Sequence, residues 1–141
     1  DKTSAALVRL DCVERFFGSE LFGQMKNAAE LHREYRFLIE LPASDFTADD
    51  EKHKNIGDAG ILVQGVIDCF FVLPDGTVKL VDYKTDRVYP KNSEDAVKKI
   101  ADEYKNQLSY YAKAIKKLCG RTVSSAVIYA FDIGMEIPVE L

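Results

Sequence analysis

The sequence predicts an α/β fold, and three observations carry that prediction. Two apolar, β-branched runs, residues 61–73 and 77–83, flank Pro74-Asp75-Gly76, which is turn chemistry, so the pair reads as a β-hairpin. Apolar positions at Val97, Ile100, Ala101, Tyr104, Leu108, Tyr111, Ala112, Ile115 and Leu118 form the stripe of one long amphipathic helix over 95–118. Two more strand-like runs, 123–131 and 136–141, follow that helix, with Ile133-Gly134 at the turn between them.

The remaining elements follow in chain order. Residues 4–16 and 19–31 carry helical patterns, with Ser4 and Ser19 placed to cap their first turns. Residues 35–41 read as a strand ended by Pro42. Residues 43–60, rich in Asp, Lys and Gly and poor in apolar side chains, are the most loop-like stretch. The long helix should stop near Gly120, which supplies a C-cap. The order is thus α, α, β, loop, β-hairpin, α, β, β.

At 141 residues with 47% apolar content, the chain can bury one core, so residues 1–141 are expected to form a single domain. Within it, residues 1–31 supply the N-terminal helices and 34–141 the core. No apolar run approaches the roughly 18 residues of a membrane span, and no signal-peptide pattern opens the chain, so the expectation is a cytoplasmic protein without membrane contact. The chain begins at Asp1 and not at methionine, which leads us to expect a piece of a larger polypeptide. It contains no Gly-x-x-x-x-Gly-Lys loop, so ATP binding is not expected of this segment.

Cysteine and histidine usage narrows the chemistry. Cys12, Cys69 and Cys119 are odd in number, widely spaced and set among apolar residues, so they read as buried free thiols. Three cysteines at these spacings also argue against an iron–sulfur cluster. His32 and His53 read as ordinary surface or loop residues.

The net charge of −4 conceals a division along the chain. Residues 1–83 carry 9 basic and 15 acidic side chains, whereas 84–121 carry 10 and 5. Lys84, Arg87, Lys91, Lys98, Lys99 and Lys105 therefore fall in a locally positive segment, where they can face a phosphate backbone. The alternative for any one lysine is a solvated helix face.

The most informative residues lie in and beyond the hairpin. Gly65-Val-Ile-Asp68 is followed by Asp82-Tyr83-Lys84-Thr85 and then by Gln107-xxx-Tyr111. A pairing across the turn sets Asp68 opposite residues 81–84, so the two carboxylates can converge and hold a hard divalent cation, which prefers oxygen ligands. Lys84 is two residues past Asp82 and shares its face, because strand side chains alternate. It can therefore reach the same phosphate or attacking water. Gln107 and Tyr111, four apart, share one helix face.

Each residue also has a plainer reading. Asp82 and Lys84 can form a strand-surface ion pair, and Tyr111 can pack for its own sake. Asp68 within an apolar strand is costly to bury unpaired, so it requires a partner, for which a metal or a lysine is suited. Glu34 fits a structural role at the entrance of the 35–41 strand. Asp75, Asp86 and Asp132 read as turn or surface residues.

Together with Phe16-Phe17-x-Ser19-Glu20-Leu21, Arg33-Glu34-Tyr35-Arg36-Phe37 and Leu41-Pro42-Ala43, these motifs resemble the RecB-type nuclease domains of the restriction-endonuclease-like PD-(D/E)XK superfamily. Within that family the chain is most similar to the C-terminal nuclease domain of the A subunits of AddAB-type bacterial helicase-nucleases. The resemblance covers nearly the whole chain and implies a restriction-endonuclease-like core, a mixed central sheet flanked by helices. It implies Asp68 and Asp82 as metal ligands, with the Tyr83 backbone carbonyl as a further one, and Lys84 as the catalytic lysine. Gln107, Tyr111, Lys91, Lys98 and Arg87 would bind DNA or brace the site. The implied cofactor is Mg²⁺, with Mn²⁺ able to substitute, and ATP would bind only in helicase domains elsewhere in the polypeptide. The implied partners are DNA, single-stranded at the nuclease site, those helicase domains and an AddB-type subunit.

The implied activity is exonucleolytic hydrolysis of unwound DNA during double-strand-break repair and recombination. The family's upstream helix, with a glycine- and histidine-containing motif, has no counterpart before residue 60. The alternative is therefore a catalytically dormant DNA-binding or subunit-docking module.

Overall fold

The structure is a computed structural model that describes residues 10–45, 60–90 and 93–141. Its centre is a five-stranded sheet in the order β1-β2-β3-β4-β5, formed by Glu30–Pro42, Gly60–Val72, Val78–Lys84, Ser125–Ala130 and Met135–Val139. Neighbouring strands are antiparallel except β3 and β4, which are parallel. A parallel pair needs a crossover connection, and α3, Glu94–Cys119, supplies it. Two short helices, α1 (Leu10–Phe17) and α2 (Glu20–Lys26), cover the opposite face.

The two faces have separate cores. Leu80, Phe70, Ile67, Ile128 and Ile137 pack beneath Leu108, Tyr111, Ala114 and Ile115 of α3. Cys69, Phe71, Val81, Val127 and Tyr129 meet Phe16, Leu21 and Met25 of α1 and α2. Phe16 anchors the second core, with ring contacts to Phe22, Tyr83, Tyr129 and Phe131. No helix among the described residues is long and apolar enough to cross a membrane.

Local chemistry fixes the helix ends. The Ser19 side chain accepts from the Phe22 amide and caps α2, as its sequence position suggests. Ser93 does the same for α3, accepting from Ala96 at 3.0 Å, and Gly120 at φ 69° closes that helix in a conformation glycine adopts without strain. In the hairpin, Asp75 accepts from the Thr77 amide at 2.9 Å, which makes it a turn residue.

One boundary departs from the sequence reading. The helix expected over 19–31 ends at Lys26, with Asn27 as its C-cap, and β1 begins at Glu30 and not at Tyr35. Residues 30–33 lack a strand-like pattern but pair with Cys69–Val72 of β2, so tertiary pairing overrides local preference. Glu34 consequently lies inside β1 and not at its entrance. Residues 4–9 of the first expected helix, Ser4, His53 and Lys91 lie outside the described residues.

The interior position of Glu34 alters the neighbouring strand. The β1–β2 register runs continuously from Glu30↔Val72 to Pro42↔Gly60, except that Glu34 and Asp68, which face each other by that register, form no pair. Glu34 has φ 49°, the left-handed region. The strands change phase there: Ile67 and Val63 face α3 on one side of the break, and Phe70 and Val72 on the other. Strict alternation would send one of these groups to the wrong face.

Candidate active site

The β2–β3 ladder ends at Cys69↔Val81, and the next step in register is Asp68 with Asp82. There the main-chain ladder gives way to a side chain, because Asp68 Oδ2 accepts from the Tyr83 amide at 2.8 Å. This bond satisfies a backbone donor that β2 no longer reaches, and it ties Asp68 to β3. On β3 itself, alternation divides three successive residues. Tyr83 turns toward Phe16 and Phe131, and its hydroxyl donates to Met25 Sδ. Asp82 and Lys84 share the face covered by α3, and Lys84 Nζ lies 2.9 Å from Asp82 Oδ2.

The Asp82 carboxylate is the only buried charged residue among those described, at 3% exposure. Burial raises its pKa, partly opposed by the hydrogen-bonding contact and positive charge of Lys84. Asp68 lies close enough to push it further in the same upward direction. Oδ2 of Asp82 has the Lys84 ammonium as its partner in the buried cleft.

Lys84 is held from two sides. Burial works against its charge, but contact with Asp82 outweighs that and leaves its pKa above the ordinary lysine value. Its ammonium also sits 3.9 Å from the centre of the Tyr104 ring, within cation–π range. By pattern alone Tyr104 is only a member of the apolar helix stripe. Its spacing of three from Gln107 and seven from Tyr111 is the signal that places it on the same face of α3.

Gln107 and Tyr111 join the same cleft. Gln107 Nε2 donates to the Tyr111 hydroxyl at 2.9 Å, while Gln107 Oε1 is buried without a hydrogen bond among the described residues. Burial raises the Tyr111 pKa, and the charge of Asp82 adds to it. Gly65 makes room for this arrangement. A Cβ there would stand 2.9 Å from the Phe37 ring, which packs edge-on against Tyr111 with centroids 5.7 Å apart.

The other proposed contacts fall elsewhere. Arg87 is exposed on the segment that leaves β3. Lys98 lines a groove of about 510 Å³ between α3 and β5, together with Glu94, Asp102 and Lys105. Nine residues separate it from Gln107, half a turn off a whole number of turns, so Lys98 is on the opposite side of the helix. His32 stacks on Phe70 at 4.4 Å between centroids and lies 3.5 Å from Glu30, so it has packing partners of its own. Cys12 and Cys69 are buried free thiols, whereas Cys119 is only half-buried, 3.6 Å from the Tyr35 hydroxyl.

The donor set fits a hard divalent cation. Two carboxylates converge, and one of them, Asp82, is buried, where an unneutralised charge is costly. Among the described residues no group of three or more His, Cys, Asp or Glu side chains could hold a metal. Two carboxylates suffice for an ion whose other positions go to phosphate, water and backbone oxygens.

Comparison with known proteins agrees with this geometry. The family model of the PD-(D/E)XK nuclease superfamily matches residues 3–137. Among curated relatives, the A subunit of the ATP-dependent helicase/nuclease of Acetivibrio thermocellus is 42% identical over 119 residues, covering 84% of this chain and 9% of the relative. The protein of the same name from Pediococcus pentosaceus is 33% identical over 141 residues, covering 99% and 11%. That of Thermoanaerobacter sp. is 38% identical over 128 residues, covering 90% and 10%. The chain thus spans about a tenth of the length of these relatives.

Proposed function

The chain belongs to the PD-(D/E)XK nuclease superfamily, and from that premise we propose that it is a metal-dependent DNA nuclease domain whose site is Asp68, Asp82 and Lys84. The observation that carries this reading is the buried Asp82 carboxylate, ion-paired at 2.9 Å with a lysine on the same strand face and set beside a second carboxylate, Asp68, that the Tyr83 amide holds in place.

In this reading Asp68 and Asp82 hold Mg²⁺, or Mn²⁺ in its place, with the Tyr83 carbonyl as a further oxygen ligand. Bound there, the cation supplies charge neutralisation for the phosphate and acidifies water. Asp82 is presented by a buried strand, so its carboxylate does not have to be ordered when substrate arrives. Asp68 is held by the Tyr83 amide for the same purpose. Lys84, steadied by Tyr104, places a positive charge where the phosphate gathers negative charge as the bond to the leaving oxygen breaks. Gln107 and Tyr111 brace the α3 side of the cleft and offer polar atoms to the strand being cut.

The relatives' names supply the setting. They support a nuclease domain joined to ATP-dependent helicase domains; we infer that residues 1–141 form that domain and that unwinding delivers single-stranded DNA to it. We further infer exonucleolytic action in double-strand-break repair and recombination, alongside an AddB-type subunit, in the bacterial cytoplasm. The deciding test is cleavage of end-labelled single-stranded DNA with Mg²⁺, with Mn²⁺ and with EDTA, by the wild-type chain and by Asp82→Ala. Cutting that needs the metal and disappears in the variant supports the reading. Cutting that survives EDTA or the substitution overturns it, as does a folded chain that neither cuts nor binds metal.

A further inference from the structure

The segment joining β3 to α3 carries the most exposed large hydrophobic side chain among the described residues. Tyr89 is 90% exposed, although both its neighbours in sequence are tied down. Val88 is buried in the α3-side core at 5% exposure, and its amide donates to Asp132 Oδ2 at 3.1 Å. The Pro90 carbonyl accepts from the amide of Ser93, the residue that caps α3. A tyrosine at the end of a floppy loop needs no explanation, but this one projects from an anchored backbone. Its ring is presented to solvent from that backbone, so binding has less main-chain freedom to remove.

Two neighbours give that ring a context. Arg87, also exposed, stands two residues before it. Lys84 stands five residues before it, so Tyr89 lies within ~18 Å of the candidate site along the chain. That is about five nucleotides at a stacked spacing of roughly 3.4 Å. An exposed aromatic face with a cation nearby in sequence is an arrangement by which proteins hold single-stranded nucleic acid, since every base has a face to stack and every linkage a phosphate.

We propose that Tyr89 is a base-stacking platform for the single strand entering the Asp68–Asp82–Lys84 site, with Arg87 holding the adjoining phosphate. The inference rests on the nuclease reading for its substrate and adds to it where the strand is gripped and why a free strand is preferred over a duplex, whose bases are already stacked. Gln107 and Tyr111 act within the cleft; Tyr89 acts outside it.

The test is fluorescence anisotropy of a labelled single-stranded oligonucleotide with the 141-residue chain in EDTA, so that cleavage cannot intrude. Tyr89→Ala should weaken binding by roughly 5- to 150-fold, the range expected for loss of one base–aromatic stack. Tyr89→Phe and Tyr89→Trp should bind like wild type, because the face and not the hydroxyl is used. An oligonucleotide with consecutive abasic positions should bind wild type and Tyr89→Ala alike. Arg87→Ala should weaken binding and lower the slope of affinity against salt by about one counterion.

Equal binding by wild type and Tyr89→Ala overturns the platform and leaves the nuclease reading intact. A wild-type chain that binds the strand through Tyr89 but cuts it without Asp82 overturns the nuclease reading and leaves the platform. No binding by a folded wild type removes both. Tyr89→Ala tightening on duplex but not on the single strand would instead mark Tyr89 as a guard against duplex, and that too overturns the proposal.

Discussion

The two faces of the sheet each bury a polar side chain, and the two are treated differently by their surroundings. On the α3 face it is the Asp82 carboxylate, charged, ion-paired with Lys84 and beside Asp68 and the orphaned Gln107 Oε1. On the α1–α2 face it is the hydroxyl of Tyr129, neutral, at the centre of an aromatic cluster with Phe16 and Phe131. Strand register sets these side by side, since Asp82 pairs with Ile128 and Tyr83 with Tyr129. The Tyr129 hydroxyl is one unmet polar atom in an otherwise apolar core, and the structure offers no reason for it. The Asp82 side gathers two carboxylates, a lysine and the unmet Gln107 oxygen in one cleft, which is how a site differs from an isolated packing defect.

That contrast can be broken most directly at Asp82. Asp82→Ala should lower metal-dependent cleavage by roughly 10³-fold or more, about the effect of removing a principal electrostatic element. The metal-free melting temperature should change little, because relief of the cost of burying the carboxylate offsets loss of its ion pair with Lys84. Saturating Mg²⁺ should raise the wild-type melting temperature, consistent with about 2.7 kcal/mol at 100 times Kd, and leave the variant unmoved. A variant less stable than wild type without metal would show Asp82 to be a structural ion pair.

The opposite outcome is expected at Phe16. Phe16→Ala empties the centre of the α1–α2 core and should cost about 3–5 kcal/mol of stability in urea unfolding. Activity per folded molecule should survive at low temperature. Loss of cutting in a fully folded variant would mean the two faces are not separable.

Helix caps sharpen the comparison at smaller scale. Ser93→Ala and Ser19→Ala each remove an N-cap worth about 1 kcal/mol. Only the first loosens the helix that carries Tyr104, Gln107 and Tyr111, so only it should also raise KM or lower kcat. Equal loss of activity from both would argue that the caps act through global stability.

The smallest effect belongs to Tyr129→Phe, which removes the unmet hydroxyl and should be neutral or slightly stabilising. Burial raises the Tyr129 pKa above its ordinary value of 10.0. The native state therefore keeps the proton after the unfolded chain has released it. The corresponding stability is fully present below pH 10 and is lost as pH rises through the folded value. Urea midpoints between pH 8 and 11 should fall less steeply for Tyr129→Phe than for wild type. Identical slopes would show that the phenol finds a partner in solution.

Much of this molecule is legible from local signals alone. The hairpin, the capped α2, the long α3 ending at Gly120 and the terminal strand pair follow from local periodicity and turn chemistry, because those signals act over a few residues. The position of Lys84 beside Asp82 follows equally, since a strand's alternation puts residues two apart on one face. So does the pairing of Gln107 with Tyr111 on one helical face.

Tertiary structure alone decided the rest, because it depends on partners distant in sequence. The first four residues of β1 are strand only because β2 is there to pair with them. The left-handed Glu34 and the interrupted ladder re-aim Asp68, whose bond to the Tyr83 amide no spacing rule anticipates. Tyr104, an ordinary member of an apolar stripe by pattern, becomes a support for Lys84 once α3 is laid across β3. Burial divides two otherwise similar tyrosines in the same way, for Tyr129 is packed away at 1% exposure while Tyr89 stands in solvent at 90%. A sequence specifies which groups are available and on which side of their own element they stand; the free energy of packing those elements together determines which groups meet, and which oxygens are left without a hydrogen bond.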